Sequence, residues 1–311
     1  MRLFCPTALV FLLCAASAAK SQQSQPATPD TTTRRIVHTR DGSTLVGRVV
    51  SEDSTAVQIE TSSGVLTIAQ SNVLSITTVR PSDMHEGEYW FPDPNRTRLF
   101  FAPTGRMLDR GEVYYMNTYL LLHSFVGGLD KYVTVGGGLA LIPGVDPKDW
   151  VYYFTPKIGV YQSNSLNLAV GGLIGFLPID VSDGPDESAG FGILYGVATE
   201  GGPNGSVTAG LGYGYSGTSF SQRPVFMLGG ERRVSRRVAL LSENYLYVAK
   251  GTGVCIPESC TLSSRANGLV SYGVRFLGEK LSVDFAFFNG FGQDVGLTFP
   301  GIPYLSFGVK F

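Results

Sequence analysis

From residue 98 onward the chain alternates apolar with small or polar residues at a period of two, in segments of about ten residues. Val207, Ala209, Leu211, Tyr213 and Tyr215 share one strand face, while Ser206, Thr208, Gly210, Gly212 and Gly214 share the other. The same split recurs in Leu281, Val283, Phe285 and Phe287 against Ser282, Asp284 and Ala286, and in Phe191, Ile193, Tyr195 and Val197 against Gly190, Gly192 and Gly196. The larger face suits lipid and the smaller a crowded lumen. Twelve segments are expected as strands: 97–103, 112–125, 131–141, 150–161, 165–177, 189–199, 205–215, 222–233, 237–249, 265–277, 279–288 and 303–311. Dyad alternation over so many segments is the signature of a transmembrane β-barrel, and twelve is even, as a single-chain bacterial barrel requires.

The connections give a second test. With the N-terminus in the periplasm, residues 104–111, 142–149, 178–188, 216–221, 250–264 and 289–302 become outer loops, and 126–130, 162–164, 200–204, 234–236 and 278 inner turns. Each of these outer loops exceeds each inner turn, which is the asymmetry such barrels show. A soluble sandwich would expose a polar face, whereas here the larger face is Val, Leu, Phe and Tyr. A helical membrane protein fails because the longest uncharged stretch, Ile158 to Ile179, is broken by Gln162-Ser163-Asn164-Ser165.

Upstream the pattern changes. Residues 34–80 lack Phe, Trp and Tyr and show five short β-branched runs broken by turns at Asp41-Gly42, Glu52-Asp53 and Ser63-Gly64. Five strands in under 50 residues point to a small closed barrel. The turn pattern, with Gly47 inside a strand and a Ser-Gly turn before Leu66-Thr67-Ile68, resembles the Sm-like or SH3-like modules of exported bacterial proteins. The expected fold class is therefore all-β: a transmembrane antiparallel barrel of about 12 strands behind a small five-stranded Sm/SH3-like barrel. Residues 81–97, with Pro81, Pro92 and Pro94, read as a linker, and the polar stretch 20–33 as a disordered one. At the start, Arg2, the run Leu9 to Leu13 and Ala15 to Ala19 read as a signal peptide over residues 1–19. The apolar run is too short to span a bilayer.

Composition sharpens this picture in three ways. Charged residues make up 16% of the 311, with 24 Lys+Arg against 25 Asp+Glu, so no nucleic-acid partner is expected. Residues 98–311 hold 31 of the 36 aromatics and 35 of the 39 glycines, which sets the barrel apart from what precedes it. Beyond the signal peptide only Cys255 and Cys260 remain, in the longest outer loop, and an oxidising compartment favours a disulfide between them over half of a metal site. No metal and no cofactor is expected.

The final alternation of Leu305, Phe307, Val309 and Phe311 against Ser306, Gly308 and Lys310 resembles the carboxy-terminal signal of bacterial outer-membrane barrels, with Phe311 its terminal aromatic. Several segments together resemble an uncharacterised Bacteroidetes-type family of outer-membrane proteins. They are Pro103-Thr104-Gly105-Arg106, Tyr114 to Leu122, Gly136-Gly137-Gly138, Arg223-Pro224, Ser242-Glu243-Asn244, Tyr272 to Phe276 and Pro300-Gly301-Ile302-Pro303. The resemblance implies an outer-membrane address, with the N-terminal domain in the periplasm, outer-membrane lipids as neighbours and barrel-assembly machinery as a partner. It carries no mechanism.

Catalytic chemistry has few carriers. His38 falls in the small domain and His85 in the linker, so only His123 could serve the barrel. Its neighbour Ser124 points to the opposite strand face, which excludes the two as a nucleophile and base pair. Arg232-Arg233 and Arg236-Arg237 flank a tight inner turn, where they suit a solvated rim or a grip on phosphate or carboxylate. Lys157, Glu243, Arg275 and Asp284 fall on the inward face. Buried charges must pair or line water, so these four either tie a filled lumen together or line a narrow channel. The inward glycines favour the channel, giving a porin-like passage for small solutes and no enzyme. The alternatives are an anchor whose module at residues 34–80 docks a periplasmic protein, and a membrane lipid hydrolase.

Overall fold

The computed structural model describes residues 33–176, 190–250, 255–256, 259–260, 264–292 and 299–311. The readings of residues 1–19 and 20–32 lie outside these. The chain divides into two compact units, one ending at Val79 and one running from Arg80 to Phe311.

The first unit is a five-stranded antiparallel sheet: β1 (Arg34–Thr39), β2 (Thr44–Glu52), β3 (Ala56–Thr61), β4 (Gly64–Ala69) and β5 (Val73–Thr78), in the order β4-β3-β2-β1-β5. Val37, Val49, Val57, Ile59 and Ile68 form its core, with Val73 and Ile76 packed alongside. All five strands feed one cluster, so the sheet is curved. The five expected strands are present, and β4 and β5 stand at the two ends of the strand order, each paired with one neighbour. Gly47 is needed where β2 crosses β3, since a Cβ there would sit 2.2 Å from the Glu60 carbonyl oxygen.

The second unit is a closed antiparallel barrel with twelve positions in its wall. In chain order these are β6 (Val113–Thr118), β7 (Leu122–Asp130), β8 (Val133–Ala140), the interrupted pair β9 (Val151–Phe154) and β10 (Lys157–Gln162), β11 (Leu166–Phe176), β12 (Gly190–Gly202), β13 (Gly205–Ser216), β14 (Val225–Ser235), β15 (Val238–Lys250), β16 (Ser264–Leu277), β17 (Leu281–Phe291) and β18 (Ile302–Lys310). Each pairs with the next, and β18 pairs with β6 from Ser306↔Thr118 to Lys310↔Tyr114, which closes the wall. The Thr155-Pro156 step separates β9 from β10, as a proline without a backbone N–H does within a ladder.

Twelve strands were expected, but two of them were placed differently. Residues 97–103 are not in the wall, and 112–125 holds parts of two strands joined by a turn at 119–121. Tyr119 and Leu120 make that turn at positive φ, 56° and 63°. The first connection on the long-loop side is therefore three residues, as short as the turns opposite, and 126–130 is strand rather than turn. The remaining alternation of long and short connections stands.

Outside, the wall presents Val160, Val170, Val207, Leu228, Leu240, Phe285 and Leu305, all exposed. Val207 is 58% exposed and its neighbour Ser206 8%, the inverse of a soluble β-protein. Such a surface is stable only against hydrocarbon, and the closed wall leaves no unpaired edge in it.

Candidate functional site in the barrel lumen

Residues 90–108, partly expected as linker and partly as the first strand, run through the lumen without regular structure. Trp90, Phe91, Leu99, Phe100, Ala102, Met107 and Leu108 are buried, and most pack against inward side chains such as Val197, Met227, Leu241, Phe288 and Tyr304. A chain segment with no helix or sheet must find partners for each backbone N–H and C=O it buries. The wall supplies them with charged and hydroxyl side chains.

Glu243 on β15 is fully buried. Its Oε2 accepts three successive backbone N–H groups, from Phe100 at 2.8 Å and from Phe101 and Ala102 at 2.9 Å, and its Oε1 accepts the Tyr245 hydroxyl at 2.8 Å. Converging amides of this kind form a fixed anion cradle. Lys157 on β10 does the reverse. Its Nζ donates to the carbonyls of Arg106 (2.7 Å), Thr104 (3.1 Å) and Thr97 (3.3 Å). Arg275 on β16, also fully buried, binds Asp284 through two bonds at 2.7 and 3.0 Å and donates to the Leu99 carbonyl at 2.7 Å. Its third nitrogen reaches Asp93 at 3.2 Å and Glu231 at 3.4 Å. Arg98 of the plug closes the group by reaching Asp284 at 3.4 Å. The desolvation cost of these ions is offset only because each is surrounded by opposite charge or oriented backbone dipoles.

Neutral contacts complete the seal. Asn95 donates to Ser282 Oγ at 2.6 Å and Gly105 N–H to Thr199 Oγ1 at 2.8 Å. Gly105 passes so close to β11 that a Cβ would lie 2.1 Å from the Asn167 carbonyl oxygen. Where the plug enters, Arg233 donates to the Phe91 carbonyl at 2.7 Å and stacks on Trp90 and Phe91. Arg233 is thus a buried clasp, not part of a solvated rim.

Lys157, Glu243, Arg275 and Asp284 all point inward and all serve the plug. Sequence reasoning missed Asp93, Arg98 and Glu231, since nothing in a Pro-rich stretch or a Gly-Gly-Glu strand marks a lumen partner. The inside-outside assignment of β12 is also corrected. Leu194 faces out, whereas Phe191, Ile193, Tyr195 and Val197 face the lumen. Glycines on the flanking strands make room for them: Tyr195 pairs with Gly171 on one side and Gly212 on the other, and Phe191 with Gly175.

Those side chains wall a chamber of about 480 Å³ between the plug and strands β6–β14. Met116, Val126, Leu173, Ile193 and Val225 line it, and Arg98, Phe101, Ala102 and Pro103 of the plug form its floor together with Lys157. It reaches Thr118, Leu122, Ala140 and Val151, residues at the long-connection ends of their strands.

His123 lies elsewhere. Its ring is on the outward face, with Nδ1 2.7 Å from the Tyr115 hydroxyl and 3.1 Å from Asn117 Nδ2, while Ser124 faces the chamber. The structure does not bring this histidine and that serine together. Phe311 donates its backbone N–H to the Val113 carbonyl at 2.9 Å, so the chain end is tied into the closing seam. Cys255 and Cys260 stand directly opposite each other in a two-residue ladder. Among the described residues no cluster of three His, Cys, Asp or Glu could hold a metal.

No family model and no curated protein matches this chain. Among solved structures it is similar to OmpT, an outer membrane protein of Vibrio cholerae. The loop L8 deletion mutant shows 11% identity over 89% of this chain and 95% of the other, with a TM-score of 0.34. The form expressed in the outer membrane shows 12% identity over 89% and 93%, with a TM-score of 0.33. Identities this low leave substrate and activity to the barrel's own surfaces. Those surfaces are those of a membrane-spanning β-barrel: a closed twelve-stranded wall, apolar outside, with mostly long connections at one end and short turns at the other.

Proposed function

We propose that the protein is a gated outer-membrane passage for small molecules, in which the segment at 90–108 is the gate and the chamber above it the vestibule. The grip of the wall on the plug supports this reading. Glu243 holds three amides of one turn, and Lys157 three carbonyls around it, so a few side chains control whether the lumen is blocked. A permanently open porin needs no such fastening, and an inert stopper does not need a hollow beside it. With short turns and both barrel ends on one side, the passage would open to the periplasm past the plug and to the exterior past the long connections.

Single-channel recording of the refolded chain in planar bilayers tests the gate. The expected result is a mostly closed wild type with rare discrete steps, and a Glu243→Gln variant that opens at least ten times more often. If both are inserted, as shown by their resistance to unfolding in cold detergent, yet remain silent, the passage reading is overturned.

An anchoring role is the second reading, and one observation favours it. Strand β4 leaves an unpaired edge and exposes Val65 and Leu66. An edge of this type accepts an added strand from a partner, which in the periplasm would be another envelope protein. Barrel-assembly machinery and a Cys255–Cys260 disulfide belong with the same outer-membrane address.

A further inference from the structure

The chamber has a chemical asymmetry that a solute vestibule does not require. Its walls are hydrocarbon and its floor is cationic. Lys157 is buried at that floor with its Nζ held by three carbonyls, and no carboxylate lies within ion-pair distance of it among the described residues. Beside it, Arg98 gives its terminal nitrogens to plug carbonyls and to Asp284 and adds a second positive charge to the floor. A buried ammonium that faces only neutral carbonyls still lacks a counter-charge, which is costly. An anion on the floor would supply that counter-charge through charge alone, since the three N–H groups of Lys157 already serve three carbonyls.

The walls fix the rest of the ligand. From Lys157 to Val151 the chamber follows the β9–β10 wall, past Thr155 and Tyr153, for a length on the order of 20 Å at about 3.3 Å per residue, and most of its surface is apolar. A cavity of 480 Å³ drawn out over that distance is narrow. It also falls within the range of about 300–1,000 Å³ typical of small-molecule sites. We infer that the chamber binds a single-chain amphiphilic carboxylate, of the fatty-acid class, with its head against Lys157 and Arg98 and its tail along Leu173, Ile193 and Val225. The rim supports access from the membrane. The β6–β7 turn is Tyr119-Leu120-Leu121, three exposed apolar residues in the shortest connection on the long-loop side. A turn of that composition sits in the lipid interface and not in water, and Thr118 and Leu122 directly beneath it line the chamber.

This inference rests on the proposal that the lumen is the working part of the protein, but not on conduction, since a dead-end site would bind the same molecule. Proteoliposomes of the full chain are photolabelled with a diazirine analogue of hexadecanoic acid, and the modified peptides are mapped. Labelling at Leu173, Ile193 and Val225, suppressed at least tenfold by unlabelled hexadecanoate but not by equimolar hexadecanol, is the expected result. Labelling confined to outward residues such as Leu194, Val207 and Leu211 would overturn the site, and equal competition by acid and alcohol would overturn the carboxylate head. In Lys157→Met the acid-over-alcohol preference should fall at least fivefold while chamber labelling persists, and an unchanged preference would also overturn the assignment. Should that variant fail to insert, the competition in the wild type decides alone. A conducting barrel without chamber labelling would sink the ligand and spare the passage, and a labelled but silent barrel the reverse.

Discussion

Strands β15–β18 and the long-connection halves of strands β6–β13, above the hold of Lys157 and Thr199 on the plug, enclose one lumen and follow one alternation, yet they treat it in opposite ways. The former turn Glu243, Arg275, Asp284 and Ser306 inward and are filled to the wall by the plug. The latter turn Met116, Val126, Leu173 and Ile193 inward and leave a hollow. What decides between the two is the backbone of the plug. Where an irregular chain passes, its amides and carbonyls demand charged or hydroxyl partners. Where it does not, apolar side chains meet empty space, and nothing in the wall needs to be polar.

The contrast can be broken most severely on the filled side. Replacing Arg275 by Met strands Asp284, Asp93 and Glu231 in a buried site, and the expected loss is about 3–5 kcal/mol. Urea unfolding from vesicles, followed through Trp90 and Trp150, should show it as a much lower midpoint, and a midpoint within error of wild type would show that the ion cluster does not hold the lumen together.

Glycines sharpen the comparison at intermediate cost. Gly105→Ala drives a methyl into the Asn167 carbonyl, a backbone atom that cannot step aside, and should destabilise by about 1–3 kcal/mol. Gly175→Ala meets only the Phe191 ring, a side chain with a hollow beside it, and should cost distinctly less in the same assay. Equal costs would mean that the plug's path and the hollow are packed alike.

The smallest effect concerns the last turn of the plug before β6. Burial raises the pKa of Glu112, but hydrogen bonds from Arg96 and Lys310 outweigh that and hold it down from 4.5 to about 2. Because the folded value is the lower one, the stabilisation is complete above about pH 4.5 and is lost as pH falls toward 2. Hydrogen exchange should show the Asp109 amide, which donates to Glu112 at 2.8 Å, losing protection across that window. In Glu112→Gln that pH dependence should vanish.

Much of this architecture was legible in the chain and part of it was not, for definable reasons. A period of two identifies a strand and separates its faces, which is why the wall strands from β8 to β18 were located within a few residues. It does not say which face is inside. The rule that large side chains meet lipid held for Leu211 and Phe285 and failed for Ile193 and Tyr195, because it assumes a lumen with no apolar space to line. The clue was present in the glycines: Gly171, Gly175 and Gly212 lie at registers opposite the bulky residues of β12. The plug was hidden because Leu99-Phe100-Phe101-Ala102 is an apolar run like any strand, and only the distant Glu243 makes it a turn. Lys157, Glu243, Arg275 and Asp284 could be placed inside from spacing alone, whereas their partners on the plug could not.

The order of the chain bears on how such a barrel comes to exist. The plug is made before any wall strand, and its fastenings lie far away: Asn95 meets Ser282 across 187 residues and Arg98 meets Ser306 across 208. Contacts so remote in sequence form late and slowly. The seam between the first and last wall strands, β6 and β18, therefore shuts around a segment that has already been made, in the manner of a cask raised around its contents.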